Sequence, residues 1–153
     1  MNVCVGGTFD HFHKGHRLLL STAFSTAGKQ GKVFIGITSG EILSTKKDVS
    51  SFKKRKTIVE QYIKEKQYTR PYQIEPIKDK YGPALTEDFD AIVVSSETLL
   101  TAQEINLLRR KKGKQFLKII EIPIVLADDD APISSSRIRK KQITTEGKLL
   151  KKD

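Results

Sequence analysis

Two histidines sit three residues apart with a glycine between them, His13-Lys14-Gly15-His16, just after Gly6-Gly7-Thr8-Phe9-Asp10. If a helix starts near His13, imidazoles at i and i+3 share one face of its first turn. Gly15 keeps that face open. Free N–H groups and the positive dipole end at such a helix start favour a phosphate. Paired imidazoles at the same point can stabilise charge developing on a phosphoryl group in transfer. Gly6 and Gly7 allow a sharp turn and close approach of a ligand to the backbone, and Thr8 adds a hydroxyl donor. The histidines can also be read as merely capping or packing a helix. Asp10, His13 and His16 can be read as three metal ligands, but Lys14 adds a like charge and no fourth donor is near, so no metal site is assigned.

A second cluster lies near the C-terminus, Pro132-Ile133-Ser134-Ser135-Ser136-Arg137-Ile138-Arg139. The serines are good helix N-caps, and their hydroxyls can bind phosphate oxygens. Arg137 and Arg139 supply permanent charge on planar donors. Alone this reads as a serine-capped helix with solvated arginines. Beside the first motif, it places two helix starts where they can converge on one triphosphate.

The elements that must hold these groups follow from patterning. Val3–Val5 is a short apolar strand of the kind buried on both faces. Leu18, Leu19, Leu20, Ala23, Phe24 and Ala27 recur at helical spacing over 14–28, and Gly28 suits the helix end. Residues 32–38 form a second strand, and the βαβ unit implies a parallel, right-handed crossover. A short helix is possible at 40–43. Lys46 and Lys47 sit in the loop beyond strand two, at the sheet edge where ligands bind. Residues 53–66 read as an amphipathic helix with Ile58, Val59, Tyr62 and Ile63 inward, and 70–77 as strand three. Asp79–Ala84 is a turn by composition. Ala91–Val94 is strand four, 99–112 a helix with Ile105, Leu107 and Leu108 apolar, and 117–126 a fifth strand containing Pro123, which favours an edge or a bulge. Asp128–Asp130 is exposed and acidic. The expected architecture is α/β: one doubly wound, Rossmann-like, five-stranded parallel sheet ordered 3-2-1-4-5, helices on both faces, in a single domain spanning 1–153. The first motif then lies at the switch point between strands one and four.

The 153 residues carry 28 basic and 18 acidic side chains, a formal charge of +10. Such a field draws nucleic acid or small polyanions. The basic runs Lys53-Lys54-Arg55-Lys56 and Lys148–Lys152 lack interleaved aromatics for base stacking, so they read as solvated faces. No apolar run reaches membrane-spanning length, and no signal-peptide core precedes the first strand. The single cysteine, Cys4, forms no internal disulfide and reads as a core residue. A cytoplasmic location and a monomer are expected.

The run Gly6–His16 resembles the signature of the HIGH-motif nucleotidyltransferases, and Ile133–Arg139 resembles that superfamily's Ile-Ser-Ser-Thr/Ser-x-Ile-Arg segment. Asp79-Lys80-Tyr81-Gly82-Pro83-Ala84, Val94-Ser95-Ser96-Glu97-Thr98, and Glu104-Ile105-Asn106 with Arg109 are similar to the archaeal and eukaryotic type of phosphopantetheine adenylyltransferase. Two departures stand out: Thr101-Ala102-Gln103 where glycines are frequent, and Ser136 where threonine is. The resemblance implies adenylyl transfer from ATP to 4′-phosphopantetheine, giving dephospho-coenzyme A and pyrophosphate reversibly, with Mg²⁺ carried mainly by ATP. It further implies His13, His16 and Lys46 as catalytic residues. Gly6, Gly7, Thr8, Phe9, Gly15, Glu97, Ser134, Ser135, Ser136 and Arg137 would contact ATP. Thr8, Lys46, Lys47, Ser95, Asn106 and Arg109 would contact the acceptor. The attacking phosphate is already ionised, so positioning and charge stabilisation replace a general base. Alternatives are an FMN adenylyltransferase, a glycerol-3-phosphate-type cytidylyltransferase, and, outside enzymes, a basic nucleic-acid-binding protein.

Overall fold

The computed structural model describes residues 1–43 and 48–151. Lys46 and Lys47 therefore lie outside the described residues. Five strands, β1 (Asn2–Gly7), β2 (Lys32–Thr38), β3 (Tyr72–Ile77), β4 (Ala91–Val94) and β5 (Lys118–Glu121), pair in parallel in the order β3-β2-β1-β4-β5. Among the described residues there are four α-helices, α1 (Lys14–Ala27), α2 (Phe52–Glu65), α3 (Leu99–Lys111) and α4 (Ser135–Arg139), and β3 leads to β4 without one. The sheet order and the two-faced helix layers match the expectation from patterning.

Side-chain alternation assigns the faces. Val3, Val5, Val33 and Ile35 pack with Leu20, Phe24, Val59 and Ile63 of α1 and α2. Cys4, Ile92 and Val94 point the other way, toward Ala102 and Ile105 of α3. Strand β1 pairs with β2 through Val3–Val33 and with β4 through Val3–Ala91. The loops leaving β1 and β4 therefore diverge at one edge and open a crevice. A third, smaller cluster, Ala127, Ile133 and Ile143, seats the C-terminal segment.

Local departures have local causes. Strand β5 ends at Glu121, well short of residue 126, because Pro123 has no N–H to continue the ladder. The turn at 79–84 tightens into a 3₁₀ segment, Gly82–Leu85, with Pro83 in its first turn. Helix α4 is only five residues, so it carries little dipole of its own. Ile58 is only half-buried, and Leu107, apolar by type, is 62% exposed. Asp129 of the acidic run forms an ion pair with Arg137. Arg55, counted in a solvated basic run, is 2% exposed. Its Nη1 donates to Thr8 O at 3.0 Å and Thr38 O at 2.7 Å, and its Nε to Ser50 O at 2.8 Å. One guanidinium thus ties the loop after β1 to both flanks of the loop between β2 and α2.

Candidate active site

The crevice is lined by the glycine turn at the end of β1, the start of α1, the loop after β4, and the segment entering α4. It encloses a cavity of about 600 Å³. His13 is the N-cap of α1, with its Nδ1 accepting Gly15 N–H at 3.0 Å. His16 Nδ1 accepts His13 N–H at 3.2 Å. A neutral imidazole whose Nδ1 accepts carries its proton on Nε2, so each ring presents an Nε2–H. The rings stack 3.7 Å apart at 20°, and both line the cavity. A Cβ on Gly15 would come within 2.9 Å of His13 Cε1, which is why this position between the histidines bears no side chain.

Two N–H groups expected to greet a phosphate are already engaged. Gly15 N–H is held by His13, and Lys14 N–H donates to Thr145 O at 3.0 Å. The helix start therefore contributes its dipole and its imidazoles more than open amides.

Burial, then the neighbouring Arg17 and His11, push the His13 pKa from 6.5 down to about 4. The ring is neutral at neutral pH and acts as a hydrogen-bond donor rather than a cation. Because the folded value lies below the unfolded one, the unfolded chain binds this proton first, so stability present above pH 6.5 is lost as pH falls toward 4. Urea unfolding is expected to show about 3 kcal/mol of this loss between pH 7 and 4, absent from His13→Gln. An equal pH slope in both proteins would contradict it.

Beneath the histidines, Phe9 is 1% exposed with φ +53, and His11 has φ +46. Left-handed backbone at two such residues is strain of the kind held at functional sites. Phe9, expected to touch nucleotide, instead packs under His16 with ring centroids 5.3 Å apart and does not line the cavity. Thr38 Oγ1 donates to Thr8 Oγ1 at 3.0 Å.

At the far end, Ser134, Ser135, Ser136 and Arg139 line the same cavity as the histidines. Ser134 Oγ accepts Arg137 N–H and keeps its own proton for a ligand. Ser135 Oγ donates to Asp10 O at 2.8 Å, which uses its one proton and ties the two motifs together. Arg137 is not at the cavity. It pairs with Asp129 and donates to Pro132 O. Arg139 faces the cavity instead, and its buried Nε has no partner among the described residues. Helical spacing carried that signal, since residue 139 shares a face with 135 and 136 while 137 turns away.

Gly6, Gly7, Thr8, Gly15, Ser95 and Glu97 also line this cavity; Ser95, expected at the acceptor, lines this cavity alone. Asn106 and Arg109 do not. Asn106 holds Leu117 through both its backbone groups, and Arg109, 2% exposed, donates to Ala84 O, Glu87 O and Gln115 O. Both side chains are committed to the backbone. Residues 122–125, missed by the sequence reading, give one wall an apolar strip, with Ile124 57% exposed.

A second, apolar cavity of about 240 Å³ adjoins the first. It runs between the sheet and α3, past Cys4, Phe34 and Ile105, under Tyr81 and Pro83. Gly6, Gly7, Thr8, Glu97 and Thr98 line both cavities. Burial raises the Cys4 thiol to about 12, so it is inert at neutral pH. The arrangement is two adjoining chambers, one lined with N–H and O–H donors and one apolar, meeting at Thr8. It can hold a polyanion and a long, largely uncharged arm end to end.

Comparison with known proteins finds relatives over nearly the whole chain. A model of the cytidylyltransferase-like family matches residues 4–141. The chain is 47% identical over 150 residues to the phosphopantetheine adenylyltransferase of Methanosarcina barkeri, covering 97% of this chain and 92% of that one. It is 43% identical over 152 residues to that of Methanothermobacter thermautotrophicus, covering 98% and 90%. A solved structure of a protein of unknown function from Archaeoglobus fulgidus superposes with a TM-score of 0.73 at 34% identity, covering 80% of this chain and 90% of that chain.

Proposed function

The chain belongs to the cytidylyltransferase-like family, alongside the archaeal phosphopantetheine adenylyltransferases, and we propose that it transfers an adenylyl group from ATP to 4′-phosphopantetheine, releasing pyrophosphate. The observation that carries this reading is the pair of chambers meeting at Thr8. ATP occupies the larger, with its base on the strip at 122–125, its α-phosphate before the His13 and His16 Nε2–H groups, and its β- and γ-phosphates at Ser134, Ser136 and Arg139. The acceptor's arm occupies the apolar chamber, and its phosphate sits at Thr8, in line with the α-phosphorus.

The reaction follows from that placement. An acceptor phosphate oxygen attacks the α-phosphorus, and the bond to the bridging oxygen of pyrophosphate breaks. No proton has to be removed from the nucleophile. The imidazoles take up the negative charge that grows on the α-phosphate oxygens, and Arg139 takes up the charge on the leaving pyrophosphate. Holding both polyanions end to end provides the rest of the acceleration. Mg²⁺ accompanies the nucleotide: the cavity presents donors and a guanidinium, and among the described residues no three His, Cys, Asp or Glu side chains converge. That donor set fits a cation held by phosphate oxygens and water. Bound there, it would shield the phosphates from one another.

The +10 charge serves as a field for these anions in a chain acting as a monomer, without a nucleic-acid partner. Burial of Arg55 removes one cation from the run 53–56 that a nucleic acid would need. Among the described residues no helix is long and apolar enough to cross a membrane.

The sequence resemblance gives the role of neutralising the acceptor phosphate to Lys46 or Lys47. Lys46→Ala is expected to raise the KM for the acceptor about tenfold and that for ATP less than threefold. If Lys47→Ala gives that pattern instead, Lys47 holds the role. The reaction itself is tested by incubating the protein with ATP, Mg²⁺ and either 4′-phosphopantetheine or FMN. Dephospho-coenzyme A is the product expected by mass. Equal or faster turnover of FMN would overturn the assignment.

A further inference from the structure

The outer wall of the apolar chamber, residues 80–84, is fastened at two ends in unlike ways. Its C-terminal end is fixed from inside: Arg109 Nη1 donates to Ala84 O and Glu87 O, both at 2.9 Å, and the guanidinium is buried. Its N-terminal end is fixed from outside. Tyr81 OH donates to Glu104 Oε2 at 2.6 Å, and Lys80 Nζ reaches the same oxygen at 2.9 Å while lying 5.1 Å from the centre of the Tyr81 ring. Lys80 and Glu104 are both about half exposed. Between the ends, Gly82 has φ +53 and lies against Ile77, so closely that a Cβ would come within 2.9 Å of Ile77 Cγ2.

A buried guanidinium on two carbonyls is costly to break. A solvent-exposed carboxylate latch is far easier to open. The wall's backbone is thus held at both ends, by Arg109 and by Asp79 Oδ1, which accepts Tyr81 N–H at 2.9 Å and Gly82 N–H at 2.7 Å, while the Glu104 latch holds the Tyr81 side chain, whose ring packs against the α3-side core when the latch is closed. Tyr81 and Lys80 both line the chamber, so the latch holds part of its wall. The Tyr81 hydroxyl and Lys80 hold the Glu104 carboxyl below its usual range, so it stays ionised at neutral pH.

We propose that Glu104 is a positioning residue for the acceptor, holding Tyr81 closed over the chamber that receives the acceptor's uncharged arm. This rests on the reading of that chamber as the acceptor subsite. The contact is remote from the reacting phosphorus and changes little between ground and transition state. Its loss therefore appears in acceptor binding rather than in turnover.

The test is steady-state kinetics of the full chain with ATP and 4′-phosphopantetheine, comparing wild type, Glu104→Ala, Glu104→Gln and Tyr81→Phe. Glu104→Ala and Tyr81→Phe are expected to raise the acceptor KM about five- to tenfold, with kcat and the KM for ATP within about twofold of wild type. Glu104→Gln, which still accepts from the tyrosine, is expected to recover most of the loss. Melting temperatures within about 2 °C of wild type would show that the fold is intact, as expected at exposed sites. Acceptor KM values unchanged in Glu104→Ala and Tyr81→Phe, or ATP KM values shifted as much as the acceptor's, overturn the proposal while leaving the reaction standing. A wild-type protein that makes no dephospho-coenzyme A overturns both.

Discussion

His16→Ala is expected to lower kcat about a hundredfold or more, with the KM for ATP changed less than about threefold. The ring is held from two sides, stacked on His13 at 3.7 Å and on Phe12 at 5.8 Å, and its Nδ1 is fixed by His13 N–H. The ring is thus positioned at the cavity before substrate arrives, with little left to reorganise during the reaction. Removing it deletes a donor needed most when charge peaks on the α-phosphate, so the effect falls on kcat. It also leaves His13 N–H without its acceptor and loosens the neighbouring ring. Steady-state kinetics at saturating acceptor read this directly, and unchanged turnover would remove His16 from the chemistry.

Arg55 is expected to produce the second large effect, on both fold and activity. Its guanidinium satisfies Thr8 O, Thr38 O and Ser50 O from a buried position. Arg55→Ala leaves three carbonyls short of a donor, which destabilises by about 3 kcal/mol and lowers the melting midpoint by roughly 10 °C. Arg55→Lys keeps a charge but cannot span three carbonyls from one planar head, so it recovers only part of the stability. Because the same side chain joins the Thr8 turn to both flanks of the loop between β2 and α2, activity in Arg55→Lys should fall more than about tenfold below the melting transition. Calorimetry and kinetics on the two variants check this. Wild-type stability in Arg55→Ala would show that the clamp contributes nothing.

The difference between what the chain announces and what it conceals is physical. The sheet was legible because Val3–Val5, residues 32–38 and Ala91–Val94 are short, largely apolar runs, bounded by turn residues, of the kind that buried parallel strands show. The histidine pair was legible because its spacing fixes one face of one helical turn. The arginines were not. Arg55, Arg109 and Arg137 look alike in sequence to Arg139, yet three of them bind backbone carbonyls, and one of those three also pairs with Asp129. Of these four only Arg139 lines the cavity, and its buried Nε has no partner among the described residues. Which carbonyls lack a donor is decided by tertiary packing, and no local pattern records it. Asn106 was misread for the same reason: its amide is the partner of Leu117, eleven residues away. The truncation of β5 at Glu121 was half legible, since Pro123 signalled an interruption without saying where the ladder stops.

The placement of the triphosphate is the claim on which the rest depends, and a crystal structure with a non-hydrolysable ATP analogue and Mg²⁺ tests it most directly. The account predicts the α-phosphate within hydrogen-bond distance of His13 and His16 Nε2, with the terminal phosphates at Ser134, Ser136 and Arg139. A nucleotide seated in the apolar chamber, or phosphates that meet the histidines but turn away from Arg139, would contradict it.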